Sequence, residues 1–175
     1  MKGLVHIYTG NGKGKTTASI GLGIRAYGRG FKVLMVQFLK GAKTGEMKTL
    51  EKLAPGFMVH RGKEIKKFTW QMTKEELAEF KENQQEVFNY VVEAAASGKW
   101  DLLILDEILG AVSCNIISLE NVINLVKSKP DKLELVLTGR NAPGELVDLA
   151  DYVSDIHAVK HPMEKGVPAR KGIEI

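Results

Sequence analysis

Short apolar runs alternate along this chain with stretches whose apolar positions recur at helical spacing, the pattern of an α/β protein with a mostly parallel central sheet flanked by helices. Leu4 to Tyr8 reads as the first strand. Lys15 to Tyr27, rich in Ala, Ile and Leu and closed by Gly28 and Gly30, reads as the helix after it. Phe31 to Phe38 is a second buried strand, because its Val-Leu-Met-Val centre is too short and too β-branched for an isolated helix. Lys40 to Gly45 is then a polar loop at a strand's C-terminal end, the edge where open α/β sheets bind ligands.

Phe57 to His60 is a short strand candidate, followed by a basic loop through Lys63, Lys66 and Lys67 to Trp70. Thr73 followed by Glu76 makes a capping box. Leu77, Phe80, Val87, Val91 and Ala95 form one apolar stripe on the helix that it opens, which ends near Gly98. Trp100 to Leu105 is a strong strand delivering Asp106 and Glu107 at its end. A helix from Ser118 to Lys127, a strand from Leu133 to Leu137, a loop at Thr138 to Asn141, a short helix near Glu145 to Ala150 and a strand near Tyr152 to Ile156 complete the series. With no internal repeat, low-complexity tract or linker, 175 residues and 44% apolar content predict a single domain over residues 1–175.

Composition narrows the functional classes. The single cysteine, Cys114, excludes an intrachain disulfide and a cysteine-rich zinc site. Nothing resembles a signal peptide and no apolar run reaches membrane-spanning length, so a cytoplasmic protein without a membrane partner is expected. A net charge of +4 suits an anionic small molecule as well as it suits nucleic acid. The absence of an extended basic stripe with interleaved aromatics argues against a nucleic-acid partner.

The candidate chemistry starts at Thr9-Gly10-Asn11-Gly12-Lys13-Gly14-Lys15-Thr16-Thr17, between the first strand and the first helix. This is a phosphate-binding loop in its expected setting. Its glycines let successive N–H groups converge on an anion, Lys15 supplies a point charge, Thr16 a hydroxyl suited to magnesium, and the helix its positive dipole end. Thr9 stands where the pattern G-x-x-x-x-G-K-[ST] has its first glycine. Asp106 and Glu107 are what such a loop needs to hold or orient Mg2+, and Glu107 is either a metal ligand or a base. Arg140 and Lys40, each just after a strand, could hold phosphate oxygens, or equally cap a helix or form a surface pair. His157 and His161 lack a third ligand and read as solvated or structural. Phe68 and Trp70 are either anchors for a polar loop or a platform for a large flat ligand, and composition alone favours the anchors.

Taken together, Gly10-Asn11-Gly12-Lys13-Gly14-Lys15-Thr16-Thr17, Val36-Gln37-Phe38-Leu39-Lys40-Gly41, Phe68-Thr69-Trp70, Leu105-Asp106-Glu107, Leu137-Thr138-Gly139-Arg140-Asn141-Ala142-Pro143 and Lys160-His161-Pro162 resemble the P-loop corrinoid adenosyltransferases. The threonine at position 9 is normal for that family. The resemblance implies a RecA-like P-loop fold, usually dimeric, that moves the 5′-deoxyadenosyl group of ATP onto the Co(I) centre of a corrinoid and releases triphosphate. It implies Mg2+ as cofactor, a flavoprotein as reductant, and ATP seated in the loop in a reversed sense, with its 5′ carbon exposed. Lys15, magnesium and, with them, Lys13 and Arg140 would then stabilise the leaving triphosphate. Phe68 and Trp70 are implied to face the lower side of the corrinoid, where an apolar wall removes the axial ligand. Because the chain starts only a few residues before its first strand, it is expected to lack the N-terminal segment that can cover the active site in some relatives. The alternatives are a small-molecule kinase using the loop in the ordinary orientation and a RecA-like ATPase module. An Asn-Lys-x-Asp guanine-reading motif is missing from the sequence.

Overall fold

The computed structural model describes residues 2–40, 44–63 and 71–173. In chain order its elements are β1 (Val5–Thr9), α1 (Lys15–Tyr27), β2 (Val33–Gln37), α2 (Gly45–Leu50) with a 3-10 turn at Glu51–Leu53, and β3 (Phe57–Arg61). There follow α3 (Lys74–Ala96), β4 (Leu102–Asp106), α4 (Ile108–Ser113), α5 (Leu119–Ser128), β5 (Glu134–Thr138), α6 (Gly144–Val147), β6 (Tyr152–Asp155) and a 3-10 turn at Pro162–Lys165.

The strands form one sheet in the order β3-β2-β4-β5-β1-β6, and every neighbouring pair is parallel. Parallel strands need crossovers, and the helices that make them cover both faces, so β2 and β4 are buried at every position. On one face Leu34, Val36, Leu103, Leu105, Leu135 and Leu137 pack with Phe80, Val87 and Val91 of α3, Ile108 and Leu109 of α4, and Val122 and Leu125 of α5. On the other face Val33, Met35, Leu102, Ile104 and Val136 pack with Ile20, Leu22 and Ala26 of α1 and with Leu50 and Phe57. The alternation of side chains along each strand sorts one apolar run into two cores.

Local signals start and stop these elements. The Thr73 side chain accepts from the Glu76 amide while Glu76 Oε2 accepts from the Thr73 amide, at 3.2 and 2.9 Å, so the capping box opens α3 as its sequence predicts. Ser118 caps α5 by accepting from Asn121 N. Two elements differ from the sequence reading. Residues from Gly45 onward form α2, which the polar loop in front of it conceals, and α4 occupies the stretch after Glu107, where Ile108, Leu109, Ala111 and Val112 are all buried. A six-residue helix is too short for its periodicity to register. The edge strand β6 is exposed throughout.

Candidate active site

The loops after β1, β2, β4 and β5 converge on a cavity of about 620 Å³ lined by residues 11–17, Lys40, Thr44, Glu46, Glu107 and Arg140, with His161 and Ile173 from the chain's C-terminal segment. That volume suits a small-molecule ligand, for which roughly 300–1,000 Å³ is usual.

The floor is the phosphate loop. Gly10 has φ 100°, and a Cβ there would come within 2.4 Å of Asp155 Oδ1 and the Ile156 carbonyl, so the loop crosses the end of β6 at a distance that only glycine allows. The Gly12 amide donates to the Ile156 carbonyl at 2.7 Å and ties the loop to the same strand end. Thr9 takes the place of the motif's glycine because its buried Oγ1 accepts from Ala142 N at 3.2 Å, pinning the loop after β5 beside the loop after β1. Gly14, at φ 118°, begins α1 without a side-chain cap, and the first turn holds no acidic residue. The free amides of that turn and the helix dipole are therefore left for an anion.

Lys15 is buried, and its Nζ donates to the carbonyls of Gly10 and Gly12 at 2.8 and 2.7 Å. Burial holds its pKa below the ordinary lysine value, opposed by Glu107, reinforced by Arg140 and opposed again by Asp106.

Behind the loop lies a fully buried carboxylate. Asp106 Oδ1 accepts from both Thr16 Oγ1 and Thr138 Oγ1 at 2.8 Å, while Oδ2 accepts from Gln37 Nε2 at 3.0 Å and lies 3.6 Å from Lys40 Nζ. The sheet order explains this density of partners. β5 separates β1 from β4, so Asp106 reaches the phosphate loop across the end of β5, where Thr138 stands. Glu107 differs from its neighbour. Its backbone is left-handed at φ 62°, held by its own amide donating to Thr138 Oγ1 at 3.0 Å, and its side chain lines the cavity. No described residue donates a hydrogen bond to that carboxylate. Burial, then the charge of Asp106, pushes its pKa above the usual carboxylate range, while Lys40, Lys15 and Arg140 pull it down.

The structure thus gathers Asn11, Gly12, Lys13, Gly14, Lys15, Thr16, Thr17, Lys40, Glu107 and Arg140 on one cavity, with Gly10 and Asp106 directly beneath. Phe68 and Trp70 lie outside the described residues. His157 is exposed beside Asp155 at 3.0 Å, and His161 Nδ1 accepts from Met163 N at 3.2 Å. Among the described residues no three His, Cys, Asp or Glu side chains cluster as metal ligands, and no helix is long and apolar enough to cross a membrane. Sequence reasoning missed Gln37, Thr138 and Arg61 as members of the carboxylate network. A polar residue closing an otherwise apolar buried strand, as in Val33–Gln37 and Glu134–Thr138, is the signal that was there to read.

Residues 1–175 match the family described as ATP:corrinoid adenosyltransferase BtuR/CobO/CobP. The corrinoid adenosyltransferase of Escherichia coli K12 is 35% identical over 174 residues, covering 99% of this chain and 86% of that protein. The corrinoid adenosyltransferase CobA of Salmonella typhimurium gives the same identity and coverage, and that of Pseudomonas aeruginosa is 31% identical over 180 residues, covering 99% of this chain and 84% of its own. Among solved structures, the cytoplasmic domain of the type VII secretion ATPase EccC from Thermomonospora curvata aligns with 94% of this chain and 21% of its own, at 13% identity and a TM-score of 0.47. That likeness is too remote to bear on function.

Proposed function

Because the chain belongs to the ATP:corrinoid adenosyltransferase family, whose members transfer the adenosyl group of ATP to cob(I)alamin, we propose that the cavity at the C-terminal edge of its sheet is where that transfer occurs. The observation that carries this reading is the buried Lys15 ammonium, held by loop carbonyls at the floor of a cavity that also gathers Lys13, Lys40 and Arg140.

In this reading the triphosphate lies along the loop, bound by the amides of residues 10–17, by Lys15 and by Arg140, with the nucleotide reversed so that its 5′ carbon faces the corrinoid. The electron pair of Co(I) forms the cobalt–carbon bond while the C5′–O bond breaks, and that bond's electrons leave on the triphosphate. Charge grows on the departing oxygens, and fixed cations already in position stabilise it without reorganising. Cobalt is the nucleophile, so no side chain has to be one.

The residues present fit a magnesium ion. Thr16 Oγ1 gives its proton to Asp106, which leaves the oxygen's lone pairs for a cation, and Glu107 offers a carboxylate on the same cavity. Two protein oxygens suffice, because magnesium keeps waters and phosphate oxygens for its other positions. We assign Thr16 and Glu107 as the residues that would hold it, and Asp106 as acting through Thr16 rather than by direct contact. When bound, the ion neutralises part of the triphosphate charge.

Phe68 and Trp70 complete the proposal as the apolar wall against the corrinoid's lower face. The setting this reading adopts is a homodimer located in the cytoplasm, with a flavoprotein supplying the electron that takes the corrinoid from Co(II) to Co(I).

Anaerobic incubation with ATP, magnesium and chemically prepared Co(I) corrinoid should give the absorbance of a cobalt–carbon bond and stoichiometric triphosphate. ADP as the product would instead establish a kinase. Phe68→Ala combined with Trp70→Ala should cut turnover severely from Co(II), where loss of the axial ligand eases reduction, and much less from Co(I). Equal loss from both cobalt states together with a lowered Tm would make the two rings loop anchors.

A further inference from the structure

We propose that Arg61, through Gln37, is a positioning residue that sets which way the Thr16 hydroxyl points, and so prepares the cation site from the far end of the sheet. The inference rests on the assignment of Thr16 to a magnesium–triphosphate complex.

The geometry is a chain of hydrogen bonds with one possible polarity. Arg61, the last residue of β3, donates from Nε to Gln37 Oε1 at 2.6 Å. Gln37, the last residue of β2, donates from Nε2 to Asp106 Oδ2 at 3.0 Å, and Asp106 Oδ1 receives the Thr16 proton at 2.8 Å. Gln37 and Asp106 are 2% and 0% exposed, so water cannot substitute for a lost partner. The parallel register pairs Gln37 with both Arg61 and Asp106, which lines the three side chains up across adjacent strands.

A glutamine amide is ambiguous by itself, since its oxygen and nitrogen can exchange places by a half-turn. A guanidinium only donates. Arg61 therefore fixes the amide oxygen toward itself, and the NH2 group must face Asp106. A flipped amide would set its oxygen against a carboxylate oxygen, a repulsive contact in a buried site. Asp106 would rotate away and loosen its acceptance of the Thr16 proton. With that acceptor in place, Thr16 presents lone pairs to the cavity. Without it, the hydroxyl can turn its proton toward the cation instead.

The test measures magnesium-dependent binding of ATP by calorimetry in the full chain, alongside turnover from Co(I). Outer partners of a metal site typically change metal affinity by roughly 10- to 100-fold, so Gln37→Met and Arg61→Met should each raise the magnesium needed for half-saturation by about tenfold. The double variant should be no worse than Gln37→Met, because Arg61 acts through that amide. Arg61→Lys, which keeps a donor-only cation, should recover most of the wild-type requirement. Independent, multiplying effects would overturn the proposal, as would a wild-type magnesium requirement in Arg61→Met. If Gln37→Met does not fold, Arg61→Met against Arg61→Lys decides alone, because Arg61 is only partly buried at the strand's end. Failure of the underlying site assignment has a different signature: wild-type protein would then bind ATP without regard to magnesium.

Discussion

The two walls of the cavity are built in opposite ways. The wall made by the loops after β1, β4 and β5 is cross-tied: Thr9 to Ala142, Gly12 to Ile156, Thr16 and Thr138 to Asp106, and Lys15 to two carbonyls. The other wall is made by His161, Gly172 and Ile173, which belong to a surface segment, residues 157–173, tied to the phosphate loop by the Ala158 amide donating to Asn11 Oδ1 at 3.2 Å. Val159 is 92% exposed and Met163 73%, and the backbone hydrogen bonds from Glu164, Gly166, Val167 and Ile173 reach only a few residues back within the segment. Local opening costs least where burial and cross-ties are few. In the proposed reading the first wall confronts a multiply charged group, for which preorganised charge is effective because it need not rearrange. The second faces what the charge-binding wall leaves exposed, and with few cross-ties it is the wall expected to yield more readily.

The comparison breaks first, and by the largest margin, at Lys15. Lys15→Ala should lower turnover by about 10²–10³-fold, the usual cost of deleting one preorganised group that stabilises developing charge. The fold should persist, since the side chain's partners are two loop carbonyls rather than the apolar cores, with stability lowered by about 1–3 kcal/mol for the carbonyls left without their donor. Turnover from Co(I) and the melting curve check both halves. Wild-type activity would remove the loop from the chemistry and leave the cross-ties as mere structure.

Glu107 sharpens the same comparison, since it sits in the tied wall yet carries a destabilised charge. Glu107→Gln should reduce turnover on the order of 10- to 100-fold and raise the magnesium requirement. Stability should move the other way. The carboxyl's folded pKa lies above its ordinary 4.5, so the folded state holds the proton more tightly, and its contribution is fully present below about pH 4.5 and lost as pH rises through the raised value. Replacing it with an amide should therefore raise the ligand-free Tm at pH 7 and give no such gain below pH 4.5. In kcat/KM, which reports the ligand-free enzyme, the acid limb of the wild-type pH profile should lie above the usual carboxylate range and disappear in the variant. An unchanged Tm at pH 7 would mean that the site strains nothing to hold this charge.

How far the sequence could be read follows the same division. The buried strands and the phosphate loop were legible because burial on both faces and a fixed loop geometry each demand particular residues over a short span, as in Val33–Gln37 and Gly10 to Thr16. Strand order was not. Nothing local to Glu134–Thr138 says that it lies between β1 and β4, so Thr138 as the bridge to Asp106 needed the sheet. Arg61 was hidden for a related reason, because one of its partners is Gln37, on another strand and 24 positions away. The α2 and α4 helices were too short for their pattern to exceed that of a loop, although Ile108 and Leu109 do pack as apolar residues should. The C-terminal segment carries no periodicity at all, and its approach to the phosphate loop through His161 and Ile173 is a matter of tertiary placement.

The smallest effect is expected in the loose wall, at Ile173, which lines the cavity while remaining 59% exposed. Ile173→Ala removes apolar surface that water already reaches, so stability should stay within about 0.5 kcal/mol of wild type, as for most surface substitutions. The residue carries no charge and makes no side-chain hydrogen bond. Its loss should leave turnover from Co(I) nearly unchanged and raise the KM for ATP by at most about threefold, equivalent to the roughly 25 cal/mol per Å² of a small apolar contact. Titration of initial rates against ATP, with thermal melts in parallel, measures both. A KM increase of tenfold or more with an unaltered Tm would show that the exposed segment grips the nucleotide directly, and the contrast between a holding wall and a yielding one would fail at its weaker end.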